Sequence, residues 1–171
     1  MDIHVSQTFD CDAPILWVVL RDPAFQKLLS EAAEVDQELL ADESVPGGRK
    51  IRSRITARKP LPAVAVRAIG TERLSWVQEN QTQDVAFSMS WRITPNVIPD
   101  RIRAEGTMKV TQIGPGRCTR VIRGVVEVNV PVVRKRVERQ ILADLEKSYD
   151  RAYKLIVEWL NERGLSKVRQ E

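Results

Sequence analysis

Four bases, Arg134, Lys135, Arg136 and Arg139, crowd the first turns of a segment reading NVPVVRKRVERQIL over residues 129–142, a strand that passes through Pro131 into a helix. The chemistry such a cluster offers is anion binding, to a phosphate, a head group or a membrane surface. It runs against the helix dipole, whose N-terminal end favours anions. Two accounts are open: solvated surface side chains with Glu138 as local compensation, or an anionic contact. Groups that could carry catalysis are fewer. His4 is the only histidine, and Cys11 and Cys118 lie far apart in the chain and in no C-x-x-C pair. That spacing supports neither a disulfide nor a zinc site nor Cys-His catalysis, and no metal or other cofactor is expected. Tyr149 could donate a proton, but an aromatic in a helical apolar stripe is read as packing.

The chain has 171 residues, enough for one domain with its own core, and 43% hydrophobic against 29% charged residues, ordinary globular usage. No apolar run approaches the roughly 20 residues of a membrane span. The opening MDIHVSQTFD alternates instead of forming a signal peptide's apolar block, so the expected location is cytoplasmic. A net charge of +4 raises nucleic acid as a partner. Its distribution argues otherwise: residues 31–43 carry only acids and residues 49–59 only bases, so a hairpin between them would neutralise both. No aromatic residues interleave with Arg52, Arg54 and Arg58 for base stacking, and nucleic acid is disfavoured.

The elements that must position these groups follow from periodicity. Ile3, Val5 and Phe9 alternate with polar residues as in a half-buried strand, which gives His4 the outward parity. Asp12-Ala13-Pro14 and Asp22-Pro23 each read as a helix start, giving two short helices. From residue 34 to 130 the period is two. Ile51, Ser53, Ile55 and Ala57 share a face, as do Leu74, Trp76 and Gln78; Val85, Phe87, Met89, Trp91 and Ile93; Ile102, Ala104, Met108 and Val110; and Ile122, Gly124, Val126, Val128 and Val130. An antiparallel sheet with one dry face results, and something must cover it. Val133, Val137, Ile141, Leu145, Tyr149, Ala152, Ile156 and Leu160 recur every three or four residues up to Gly164. They predict a helix of about thirty residues, ~45 Å long, able to lie across the whole sheet. A single domain over 1–165 with a charged tail over 166–171 is expected.

Counting strands sorts the loops by end. DESVPGG, the NQTQD turn and GPG fall at one end, while KPLPAVAVRAIGTE, PNVIPD and the PVVRKR junction fall at the other. The second end is proline-rich and apolar, with Val97 and Ile98 in one loop. Either these loops cap the core or they rim an opening. Apolar tips such as Ile98 beside Arg134, Lys135 and Arg136 would also suit transient contact with an anionic membrane.

FDCDAPILWVVLRDPAFQKLL, RITARKPLPAVAVRAIG followed by WVQENQTQ, and GVVEVNVPVVRKRVERQI resemble the START-like, or SRPBCC, superfamily, in an uncharacterised bacterial branch. The resemblance covers nearly all of the chain. It implies the α+β helix-grip, Bet v 1-like fold: a curved antiparallel sheet of about seven strands around a long C-terminal helix, with two short helices after strand one. It also implies a cavity between sheet and helix for a hydrophobic small molecule or lipid. Mapped onto this chain, the lining would draw on Ile55, Trp76, Phe87, Met89, Trp91, Ala104, Met108 and Val126, with Val137, Ile141, Leu145 and Tyr149 from the helix. Gly106 and Gly124 on that face leave space where a side chain would pack. Gln78 shares the face and could orient a ligand's polar end; Asn80 shares its parity but is read as part of a turn.

Inner-face positions nearly free of ionisable groups argue for a non-catalytic binder or carrier, because acid-base catalysis needs proton donors and acceptors within reach of the substrate. The alternatives are an aromatase/cyclase-like enzyme acting on a polyketide, or a basic-surface binder of nucleic acid or acidic protein.

Overall fold

In the computed structural model, residues 1–61, 63, 66–67, 70–129 and 134–167 are described, the side chains of 134, 136, 137 and 140 excepted. Strand β1 (Asp2–Phe9) leads into helices α1 (Ala13–Arg21) and α2 (Pro23–Ala32). Then come β2 (Val35–Val45), β3 (Gly48–Ala57), β4 (Ser75–Gln83), β5 (Ser88–Pro95), a 3-10 turn at Pro99–Arg101, β6 (Ile102–Gly114) and β7 (Arg117–Val128). The long helix α3 spans Arg134–Glu162, 29 residues. All seven strands form one antiparallel sheet in the order β1-β7-β6-β5-β4-β3-β2.

The two Asp-Pro and Asp-Ala-Pro starts resolve differently. Asp22 caps α2, its carboxylate accepting from the backbone N–H groups of Ala24 (2.8 Å) and Phe25 (3.1 Å). Asp12 occupies the N-cap of α1 but makes no side-chain cap bond. Its carboxylate instead accepts from the Gly116 N–H (2.8 Å) and Gln112 Nε2 (2.7 Å), tying the end of β1 to the β6–β7 turn. Helix α3 stops where Gly164 takes φ +63° and the Leu165 N–H returns to the Leu160 carbonyl at 2.8 Å, a glycine stop that closes the last turn.

The acidic and basic segments do form a hairpin. Glu38 lies opposite Arg54 in the ladder, and their side chains meet at 2.8 Å. Asp42 pairs with Arg49, Glu79 with Arg52, and Arg58 bridges Glu31 and Asp36. The Arg58 guanidinium holds the Glu31 carboxyl below the usual carboxylate range. These exposed pairs add little stability individually; what they do is neutralise the outer face of β2–β4.

Three details differ from the sequence pattern. Val85 is not on a strand face: it is 94% exposed in the Asp84–Phe87 turn, and β5 begins only at Ser88. Phe87 also belongs to that turn, at φ +46°, its ring 6.1 Å from the Trp17 ring. Asn80, expected in a turn, is mid-strand in β4, opposite Ile51 and Trp91. The third difference concerns coverage. Among the described residues, helix α3 packs chiefly against β7 and β1. Ile3, Val5, Phe9, Ile122, Val126 and Val128 give those two strands the apolar inner rows that reward a covering helix. β3 and β4 offer Ser53, Gln78 and Asn80 instead, groups that cost free energy to bury without partners.

Cys11 and Cys118, remote in sequence, come to 3.9 Å between sulfurs in the core, both free and fully buried.

Gly106 and Gly124 face each other across β6–β7, and Trp91 is the next partner of Gly106. A Cβ on Gly106 would lie 2.1 Å from the Arg123 carbonyl oxygen and 2.6 Å from Trp91 Cζ2. Gly106→Ala should therefore destabilise the fold by about 1–3 kcal/mol through overpacking, read as a lowered urea midpoint at unchanged slope. An unchanged midpoint would mean that the strands can part at this point at no cost.

Candidate functional site

Register fixes the concave face as a stack of side-chain rows. Next to the row at the apolar loop end lies Ser53–Gln78–Ile93–Ala104–Val126, followed by Asn80–Trp91–Gly106–Gly124–Ile3. Thr82–Met89–Met108–Ile122–Val5 comes next, and then Val110–Arg120–Gln7. Ile55 stands opposite Trp76 at the loop end of the uncovered side. The space that the two glycines leave is taken by the Trp91 indole, since a Cβ on Gly124 would also lie 2.6 Å from Trp91 Cζ2.

Among the described residues α3 packs chiefly against β7 and β1, and the inner residues Trp76, Gln78, Asn80, Met89 and Ile93 are half-buried. They set apolar side chains beside an amide seam. Gln78 Nε2 donates to Asn80 Oδ1 (3.3 Å), and Gln37 Nε2 donates to the buried Ser53 hydroxyl (3.1 Å). The indole N–H groups of Trp76 and Trp91 are buried without an acceptor. Two pockets follow the seam between β1 and α3. One, of about 200 Å³, is lined by Ile3, Val5, Leu142, Leu145 and Tyr149 with Asp2, His4 and Glu146 at its rim. The other, of about 260 Å³, lies among Phe9, Tyr153, Val157, Leu160 and Lys167. Each is smaller than the roughly 300–1,000 Å³ of a ligand site for a drug-sized molecule.

The most unusual group on this face is Arg120. It is 4% exposed, wedged between β1, β7 and α3. One terminal nitrogen donates to Gln7 Oε1, and the guanidinium carbon lies 5.6 Å from the centre of the Phe9 ring. Its Nε is buried without a partner, and among the described residues no carboxylate comes within ion-pair reach. Burial pushes its pKa down to about 10, with Tyr149 acting in the opposite direction. Burial raises the Tyr149 phenol, an effect that Arg120 partly offsets. Gln7 closes the triangle, its Nε2 donating to the Tyr149 carbonyl at 3.1 Å. At neutral pH the end of the concave face away from the apolar loops thus holds a cation and a neutral phenol under α3.

Of the residues assigned to the lining from sequence, Ile55, Trp91, Ala104, Met108 and Val126 are buried, and Trp76, Gln78, Phe87, Met89, Ile141, Leu145 and Tyr149 are half-buried. Phe87 packs on α1 rather than on the strand face. Ile98 is 44% exposed and Lys135 is exposed at the start of α3, whereas the side chains of Val137, Arg134 and Arg136 lie outside the described residues. Glu138, read as a surface acid, is buried, and its Oε1 accepts from the Val128 N–H at 3.1 Å. Arg120 and Gln7 were missed, although parity could have found them. Arg120 alternates with Ile122, Gly124 and Val126, and Gln7 with Val5 and Phe9. Among the described residues no cluster of three or more His, Cys, Asp or Glu could hold a metal ion. Nor is any helix among them long and apolar enough to cross a membrane.

A model of a family described as "Protein of unknown function (DUF2505)" matches residues 4–160. No curated protein matches the sequence. Solved structures of similar fold include TTHA0849 from Thermus thermophilus, at 17% identity and TM-score 0.65, covering 92% of this chain and 98% of that one. The Zhui aromatase/cyclase from a Streptomyces species matches at 14% identity and TM-score 0.65, over 95% of this chain and 94% of its own. A START superfamily protein from Mycobacterium smegmatis matches at 13% identity and TM-score 0.58, over 93% and 98%. At these identities the likeness is one of fold, and the fold is the START-like helix grip.

A buried cation without a counter-charge costs stability, and replacing such a group by an apolar one of similar length often recovers it. Arg120→Met is expected to stabilise the ligand-free protein by about 1–4 kcal/mol in urea unfolding. A clear loss of stability would show that the guanidinium is compensated.

Proposed function

The chain belongs to the DUF2505 family, and on that footing, within a START-like fold, we propose that it binds or carries a hydrophobic small molecule or lipid in the groove between the concave sheet face and α3. The observation that carries this reading is the side of the sheet away from the α3 contacts with β7 and β1. Trp76, Met89 and Ile93 remain half-buried beside an amide seam where a fully packed domain would have closed over them. Exposed apolar surface of this kind, rimmed by polar groups, marks binding sites.

A binder is favoured over a catalyst by the protonation states. The ionisable groups facing the groove, Arg120 and Tyr149, both keep their protons at neutral pH, so neither serves there as a general base. His4 is exposed, on the rim of the seam pocket. The aromatase/cyclase reading would gain if a polyketide substrate were turned over and Tyr149→Phe abolished that turnover.

Native mass spectrometry of protein purified without detergent, before and after exposure to a lipid extract, should show bound apolar species. Ile93→Lys should weaken their retention about tenfold or more, because it places an unpaired charge in the groove. Failure to capture any apolar molecule would remove the proposal.

Contact with an anionic membrane at the loop end is a companion reading. Ile98, at φ +46° and exposed, presents an apolar tip on the same end as Lys135. Ile98→Asp should reduce co-sedimentation with vesicles containing anionic lipid. Unchanged co-sedimentation would reject docking through this loop.

A further inference from the structure

We propose that the ligand is an anionic amphiphile, and that its carboxylate head group pairs with Arg120 under α3, at the end of the concave face away from the apolar loops, while its tail runs back along the apolar rows toward the groove at the loop end. The inference rests on the groove-binding reading and specifies which class of hydrophobic molecule the groove takes.

Two independent features point to it. The first is the cation itself: Arg120 is almost wholly enclosed, has no acidic partner among the described residues, and leaves its Nε donor unsatisfied. A buried guanidinium is ordinarily matched by a carboxylate, and an unmatched one persists when a ligand supplies the match. The second is placement. Register puts Arg120 beyond Met108–Ile122–Val5, with Val110 as its partner on β6 and Phe9 beneath it. The charge therefore stands at the closed end of an apolar run, where it can orient an amphiphile but gains nothing from water.

The donor arrangement narrows the head group. One terminal nitrogen, Nη2, donates to Gln7, and the neighbouring Nε–H has no acceptor, so a carboxylate oxygen reaching Nε would complete the polar contacts of that edge. A monoanion cancels the single charge, whereas a dianionic phosphate would leave net charge buried. Tyr149, neutral and adjacent on α3, adds an O–H donor to the same end. Alcohols and sterols would leave Arg120 as unmatched as before, and so gain no preference from it.

Dodecanoate and dodecan-1-ol separate these cases, titrated below their aggregation limits at neutral pH into the native protein and into Arg120→Met and Arg120→Lys. The native protein should bind dodecanoate about tenfold or more tightly than dodecan-1-ol. Arg120→Met should lose that preference while holding dodecan-1-ol to within about threefold, and Arg120→Lys should retain part of it. Equal affinity of the native protein for both probes would overturn the inference and leave the groove-binding reading standing, with no variant needed. Preference undiminished in a folded Arg120→Met would overturn it equally. Binding of neither probe would reject the groove-binding reading and this inference together.

Discussion

The concave side of the molecule is organised around the Trp91 indole lying against the backbone of β6 and β7. Two glycines, Gly106 and Gly124, face each other at that point, and a Cβ on either would collide with the ring and with the neighbouring strand. The absence of side chains at these two positions lets one large side chain on β5 reach across two strands. Register then dictates the rest. With Trp91 fixed, the row of Ile93 and Ala104 falls on its loop side, and the rows leading to Met108 and Arg120 fall on its closed side. The indole thus stands between the apolar and amide rows near the loops and the rows that end at Arg120.

That division sets opposite demands on the two halves of the sheet. β1 and β7 present nearly continuous apolar rows, and α3 covers them. β3 and β4 present a serine and two amides, partly satisfied by one another and by Gln37. An apolar helix laid over that seam would have to desolvate it for little return, so the helix stays on the side where burial is rewarded. The groove is therefore the remainder of a packing preference. The same argument makes Arg120 anomalous. It lies on the well-packed side, where a polar group is costliest, yet without an acid beside it.

Most of this fold was readable in advance because its periods are clean. The alternation from β1 to β7, the two proline-marked helix starts and the stripe of α3 each follow from one physical rule applied over a long window. The opposed charges of β2 and β3 announced their hairpin in the same way. What failed was local. Val85 and Phe87 continue the alternation of β5 in sequence but are spent in a turn, because a period of two carries no mark of where a strand bends back. Cys11 and Cys118 met through folding, which spacing cannot reveal. The site was less legible than the fold for a different reason. Arg120 shares the parity of Ile122, Gly124 and Val126, but a charged residue at the end of an apolar alternation carries no mark of burial. A buried arginine looks like a surface one until its neighbours are known.

Glu138 bears on the basic start of α3 in the same way. In sequence it stands among Arg134, Lys135, Arg136 and Arg139, and reads as their surface compensation. In the structure it is buried, with one carboxylate oxygen committed to the Val128 N–H at the end of β7. A helix N-terminus welcomes an acid, and this one uses its acid inward, to join the helix to the last strand. Arg139 turns its Nε back to the Lys135 carbonyl, and Lys135 points to solvent. The described charges of this turn therefore separate into an acid facing the core and a base facing water. Lys135 and Arg139, the described bases of this stretch, lie on an outer surface, while Glu138 serves the fold on the inner side.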